Sequence, residues 1–118
     1  MSELKIAVVI YEPLKSDSAR VYRGLKTALE FKQAGDDVVV VFDGSGVESL
    51  AAISDAAHQM NPLTVALQEN ILGACGFCAK SHGVAEPIET GGWPLLTENK
   101  GEASIRNLVV DGYQILNF

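Results

Sequence analysis

The sequence predicts a three-layer α/β/α domain around a mostly parallel sheet of about five strands. Two apolar runs, residues 6–11 and Val38–Phe42, are continuous rather than alternating, which is typical of strands covered on both faces. Apolar residues at helical spacing lie between them, so the order strand, helix, strand predicts a right-handed βαβ unit. The chain has 118 residues, of which 47% are hydrophobic and 20% charged, so we expect one domain over residues 1–118 with its own core.

The helices of the first half are predicted from spacing and from their terminal residues. The first has N-cap candidates at residues 16–18 and Gly35 at its end, and its apolar face recurs at i, i+4, i+7 and i+8. After the second strand, Ser45 and Glu48 fit the capping box S-x-x-E of a second helix. Asn61 followed by Pro62 predicts the start of a third, with Asn61 as its N-cap.

The second half carries weaker signals. Small residues in the third strand suggest close approach of neighbouring backbone, and Pro94 confines the fourth strand to a sheet edge or a strand end. Thr97 or Asn99 is the expected cap of the last helix. The predicted segments are a strand at 71–74, a loop at 84–92, a strand at 93–96, a helix ending near Gly112 and a strand at 113–118.

Composition excludes some classes of function. The net charge of −6 and the scattered lysines and arginines argue against a nucleic-acid partner. The N-terminus lacks the pattern of a signal peptide, and no apolar run approaches membrane length, so we expect a cytoplasmic protein without a membrane partner. In that compartment two cysteines are expected to be reduced thiols rather than a structural disulfide.

Both cysteines lie in one segment, GACGFCAKSHG, residues 73–83. Cys75 directly follows the third strand and opens a short helical segment. Ligands collect at the carboxyl ends of parallel strands, and a helix start favours the thiolate, so the position suits a sulfur nucleophile. Cys78 lies one turn further on the same helical face, where it can resolve a mixed disulfide or simply pack.

Other residues near this edge are candidates for binding. Gly76 allows close approach of backbone to a bound sulfur, Lys80 can add positive potential, and His82 can donate a proton. The further candidates lie between the cysteines or at the ends of the first two strands: Phe77, Tyr11, Glu12, Asp43 and Gly44.

Several alternatives compete with thiol chemistry. A structural zinc site needs four ligands, and the candidates are Cys75, Cys78, His82 and His58. Because His58 is far from the others in the sequence, we expect no metal, and we also expect no cofactor. A thioredoxin-type protein would have its C-x-x-C after an early strand. The G-x-G at residues 44–46 lacks the rest of a phosphate-binding motif. Free cysteines also often pack as small hydrophobic residues.

The segment ACGFCAKSHGV resembles the cysteine segment of DsrE-like proteins, the DsrE/DsrF superfamily that includes sulfur-relay subunits. The order of elements is similar along essentially the whole chain, including a terminal helix that ends before Gly112-Tyr113 and a last strand. Counted back from Gly83, Cys75 matches the persulfide-bearing cysteine of the relay subunits. Cys78 is an addition, and residues 80–82 replace a stretch richer in alanine and arginine.

The resemblance implies a cytosolic sulfur carrier in which Cys75 carries a persulfide and Cys78 is a possible resolving thiol. Its partners would be sulfur donor and acceptor proteins or small thiols, and a homo-oligomer, a trimer or a hexamer, is implied as well. Two alternatives stay open at this point: a disulfide reductase acting through the C-x-x-C, and a non-catalytic binding or assembly protein in which both cysteines are packed.

Overall fold

The computed structural model describes residues 3–118 and shows a parallel sheet with helices on both faces, which confirms the predicted α/β fold class. Five parallel strands form one sheet in the order β4-β3-β2-β1-β5. The elements along the chain are β1 (Lys5–Ile10), α1 (Leu14–Gln33), β2 (Asp37–Phe42), a 3-10 turn (Gly44–Gly46), α2 (Val47–Ile53), α3 (Asn61–Ala66), β3 (Ile71–Cys75), α4 (Gly76–Ser81), α5 (Ala85–Thr90), β4 (Leu95–Leu96), α6 (Ile105–Val110) and β5 (Gln114–Asn117).

The two helical layers are unequal because of the strand order. From β1 to β4 each strand is added on the same side of the previous one, so right-handed crossovers place α1 to α5 on one face. The chain then returns from one edge to the other through α6, which lies on the opposite face. Alternate residues of β1 follow this division: Val8 packs with the large helical layer, and Val9 packs with Leu108 of α6.

Strand β3 carries an irregularity that bears on the cysteine segment. Val40 of β2 pairs with Ile71, whereas Val41 pairs with Gly73, so β3 has one extra residue, Leu72. Gly73 adopts φ +139°, and a Cβ there would lie 2.2 Å from the carbonyl oxygen of Pro94. The predicted close approach of backbone at this strand is therefore confirmed, and β4 lies at the sheet edge as expected.

Some predicted helix boundaries are wrong. Residues 84–92 were expected to form a loop, but α5 forms there because Ile88 is fully buried in the core. The last helix is capped by Ser104 rather than by Thr97 or Asn99, through a 3.1 Å bond from the amide of Asn107 to the serine Oγ.

The expected caps of the earlier helices also differ. The capping box of Ser45 and Glu48 does not form, because the 3-10 turn occupies that position and Asp43 caps it instead. Helix α3 includes Asn61, and Met60 is its N-cap residue. None of the helices formed by residues 3–118 has the length and apolarity that a membrane crossing requires.

Candidate functional site

The carboxyl ends of β2 and β3 bring two thiols and a carboxylate together. Asp43 follows β2, Cys75 ends β3, and Cys78 lies in the first turn of α4. One ligand atom from each, the two Sγ atoms and a carboxylate oxygen, all lie within 4.8 Å of one another. The cysteines predicted as a pair are thus close together, and Asp43 joins them.

Cys75 is buried, with 1% of its surface exposed, and packs in the main core cluster. Its sulfur nevertheless has a polar neighbour, because the amide of Ala103 donates to Sγ at 3.4 Å. Cys75 is the N-cap residue of α4, as the sequence predicted, but this helix has only six residues. The polar contact that the structure provides to Sγ therefore comes from the loop between β4 and α6.

That loop, residues 97–104, covers the start of α4. The amide of Phe77 donates to the carbonyl of Gly101 at 3.0 Å. A Cβ at Gly76 would lie 2.8 Å from Cγ2 of Thr97, so glycine at this position lets the loop approach. Gly76 thus lies in close contact with this loop, and its close approach to a bound sulfur stays a prediction.

Cys78 is half-buried, and its thiol donates to Oδ1 of Asp43 at 3.6 Å. The same oxygen accepts the amide of Gly44 at 2.8 Å, which fixes the carboxylate beside the thiol. Burial raises the pKa of Cys78 from 9.0 to about 12, with further contributions from Cys75 and from the charge of Asp43. Cys78 therefore holds its proton at neutral pH.

Tyr11 borders the same site, whereas Glu12 has its carboxylate paired with a residue of α1. The ring of Tyr11 packs on Gly44, where a Cβ would lie 3.2 Å from Cδ1, and Gly44 adopts φ +53°. Burial raises the pKa of the Tyr11 phenol, and Asp43 and the two cysteines add to the effect. The carboxylate of Glu12 instead pairs with Arg20 at 3.6 Å.

The remaining candidates lie on the outer surface of α4. Phe77 is 58% exposed, and Lys80 is exposed beyond the first turn. His82 pairs through Nδ1 with Glu48, which also binds Lys15 at 3.2 Å. The structure thus gives His82 a surface partner, and the roles predicted for Phe77, Lys80 and His82 stay predictions.

The glycines of residues 44–46 have a packing role. A Cβ at Gly46 would lie 2.0 Å from the carbonyl oxygen of Ile10, so only glycine fits where the turn crosses the end of β1. This supports the interpretation of the G-x-G as turn geometry rather than as part of a phosphate site.

Sequence reasoning missed two contacts of the site. Asp43 was placed at the correct edge of the sheet, but its pairing with Cys78 was not foreseen. The amide of Ala103 carried no signal, because no residue type or spacing marks a backbone group that approaches from another loop.

A comparison with solved structures finds a similar fold in BT1422, a conserved protein of unknown function from Bacteroides thetaiotaomicron. The TM-score is 0.66 and the sequence identity 18%, over 95% of this chain and 94% of that chain. No protein-family model matches the sequence, and a search of curated proteins finds no match either. The likeness to BT1422 shows the fold, and membership of the DsrE-like proteins stays a prediction.

Proposed function

We propose that this protein is a sulfur carrier in which Cys75 takes up a persulfide sulfur and Cys78 acts as the resolving thiol. The observation that carries the proposal is the cluster of both sulfurs and the Asp43 carboxylate within 4.8 Å at the carboxyl edge of the sheet. The resemblance of residues 74–84 to the cysteine segment of DsrE-like proteins supports Cys75 as the carrier.

The first step is a thiol exchange. The Cys75 thiolate attacks the outer sulfur of a donor persulfide, R–S–SH, which forms Cys75–S–SH and releases R–S⁻. An N–H directed at a sulfur favours negative charge on it, and the amide of Ala103 makes such a contact with Cys75 Sγ.

The second step has two outcomes, depending on the acceptor. An external thiolate, R′–S⁻, attacks the outer sulfur, which is transferred with its proton; the S–S bond to Cys75 breaks, R′–S–SH leaves, and the Cys75 thiolate is regenerated. Alternatively, Cys78 attacks the Cys75 sulfur, which forms the Cys75–Cys78 disulfide and releases HS⁻. In that case Asp43 accepts the Cys78 proton, since its Oδ1 already accepts a hydrogen bond from the thiol.

Burial of Cys75 restricts how a donor reaches it. Because the loop at residues 97–104 covers the start of α4, exchange with a protein partner requires that loop to move. A small persulfide needs less movement of this loop than a protein partner does. We therefore expect low-molecular-weight donors to load the folded protein faster than a protein-bound persulfide does.

The test is intact-mass spectrometry of reduced protein after treatment with a small persulfide donor, with and without trapping by an alkylating agent. The parent should gain one sulfur atom, and Cys78→Ser should accumulate the loaded form because the resolving step is missing. Cys75→Ser should gain none. If Cys75→Ser gains sulfur as readily as the parent, Cys75 is not the carrier.

A second candidate, dithiol–disulfide exchange, is favoured by the proximity of the two sulfurs alone. It predicts a mass loss of two hydrogen atoms on treatment with a disulfide oxidant, no retained sulfur after persulfide treatment, and turnover of a model disulfide. The third reading, packed cysteines, is favoured by the 1% exposure of Cys75. It predicts that neither thiol of the folded protein reacts under either treatment.

A further inference from the structure

We infer that Asp43, Cys75 and Cys78 form a binding site for one thiophilic divalent metal ion, with zinc as the best match. Their ligand atoms come from three elements, the ends of β2 and β3 and the first turn of α4, and they all lie within 4.8 Å of one another. The inference does not rest on the proposed sulfur transfer, because it needs only the positions of these three side chains.

The distances agree with a tetrahedral site. Zinc binds sulfur at about 2.3 Å and carboxylate oxygen at about 2.0–2.2 Å, so at a tetrahedral angle these two atoms lie about 3.5–3.7 Å apart. The observed separation of Cys78 Sγ and Asp43 Oδ1 is 3.6 Å. Two sulfurs on one zinc ion lie about 3.8 Å apart, which is within the 4.8 Å span of the cluster.

Backbone groups already orient two of the three ligands. The amide of Gly44 donates to Asp43 Oδ1 at 2.8 Å, and that of Ala103 donates to Cys75 Sγ at 3.4 Å. Hydrogen bonds to the ligands of a metal are what fixes their geometry and tunes their charge. The arrangement is therefore more than a chance approach of two thiols within a C-x-x-C.

The donor set selects the class of metal. Two thiolates and one carboxylate favour zinc over magnesium or calcium, which prefer six or more oxygen ligands. The histidines considered from the sequence are engaged elsewhere: His82 pairs with Glu48, and Nδ1 of His58 accepts the amide of Met60 at 3.0 Å. The fourth position is thus left to water or an external thiolate, as in exchangeable rather than closed structural sites.

Metal binding and persulfide loading would compete, because both use the Cys75 sulfur. A zinc-loaded chain should resist loading by a small persulfide until a chelator removes the metal.

The experiment is a titration of the reduced, chelator-treated full chain with Co²⁺, followed by displacement with Zn²⁺ in the presence of a chromophoric chelator. The parent should bind one ion per chain and show thiolate-to-cobalt charge transfer with the absorption of tetrahedral Co²⁺. Asp43→Asn keeps the side-chain size but weakens the ligand, and it should bind at least about tenfold more weakly. Cys78→Ser should lose the tetrahedral spectrum.

Glu48→Gln is the matched control, since it removes a nearby acidic group outside the cluster, and it should bind like the parent. The inference is overturned if the parent, shown by circular dichroism to be folded, does not bind. It is equally overturned if Asp43→Asn binds with unchanged affinity and spectrum, or if Glu48→Gln loses as much affinity as Asp43→Asn. No sulfur donor is present in this titration, so its failure leaves the carrier proposal standing, and failure of the persulfide assay leaves the metal site standing.

Discussion

Replacement of Gly46 by alanine tests whether the site rests on close contact between two backbone segments. Gly46 has φ −62° and ψ −19°, a helical conformation that alanine adopts without strain. In the absence of a clash, glycine to alanine at such a position would stabilise the protein by about 0.4–1 kcal/mol. The added Cβ would however lie 2.0 Å from the carbonyl oxygen of Ile10, where real contacts stay above 3.0 Å.

The cost follows from what must move. Relieving the overlap requires the turn to shift by about 1 Å, and this turn is tied to β1 by the bond from the Asp43 amide to Ile10 O at 3.0 Å. Overpacking that moves backbone costs about 1–3 kcal/mol and occasionally more, so we expect a net loss near 3 kcal/mol for Gly46→Ala. A chain of this size has about 6–18 kcal/mol of stability, so the variant should still fold.

Urea denaturation followed by circular dichroism measures the loss. Gly83→Ala is the contrasting variant, because Gly83 has φ +69° with no atom within 4 Å of the added Cβ, so its loss of stability comes from backbone conformation and not from a clash. It isolates the cost of left-handed backbone, about 1–2 kcal/mol. If Gly46→Ala is as stable as the parent, or more stable, the packing of the turn against β1 is described wrongly.

Three further predictions concern single side chains. In metal-free reduced protein, the alkylation rate of Cys78 should begin to rise only at a pH well above that of an ordinary thiol, because the pKa of Cys78 is raised to about 12. Cys75→Ala should move this rise to lower pH, because Cys75 contributes to the raised pKa. A rise at the pH of an ordinary thiol in the parent would contradict the prediction. Ser104→Ala should destabilise the protein by about 1 kcal/mol in urea, because it removes the cap of α6, and Ser104→Asp should restore the stability. The pKa of Glu48 is lowered, owing first to its hydrogen bond with His82, so Glu48 contributes to the stability of the folded protein above its unfolded pKa of 4.5, and this contribution is lost as pH falls through the lower folded value. Glu48→Gln should therefore lose less stability on acidification than the parent does, by less than about 1 kcal/mol. An unchanged acid profile of stability would refute the pairing.

The fold class was predictable because hydrophobic patterning reports burial on both faces of a strand. Residues 7–10 of β1 are all fully buried, as their continuous apolar run indicated. The unequal layers were not predictable in the same way. They follow from the order of the strands in the sheet, and sequence periodicity does not encode that order. Because β5 lies beside β1, α6 is the one helix within residues 3–118 that packs on the second face.

Short elements were the least predictable. Helix α5 has six residues and a proline at position 87, so its sequence resembles a loop. It is helical because Ile88 must be buried, and that requirement comes from tertiary packing rather than from local propensity.

The site, like the fold, was predictable from the sequence only in part, and the register of β3 explains why. The sequence placed Cys75 and Asp43 at one edge, because both follow strands of a parallel sheet. If β3 ran without a bulge, so that Leu72 paired with Val41, Asp43 would lie opposite Ala74. The bulge advances β3 by one residue, so Phe42 pairs with Ala74 and the next position of β3 is Cys75. Gly73, whose φ of +139° permits this shift, thus brings the thiols to the carboxylate, and the proposed thiol chemistry and the proposed metal site both depend on it.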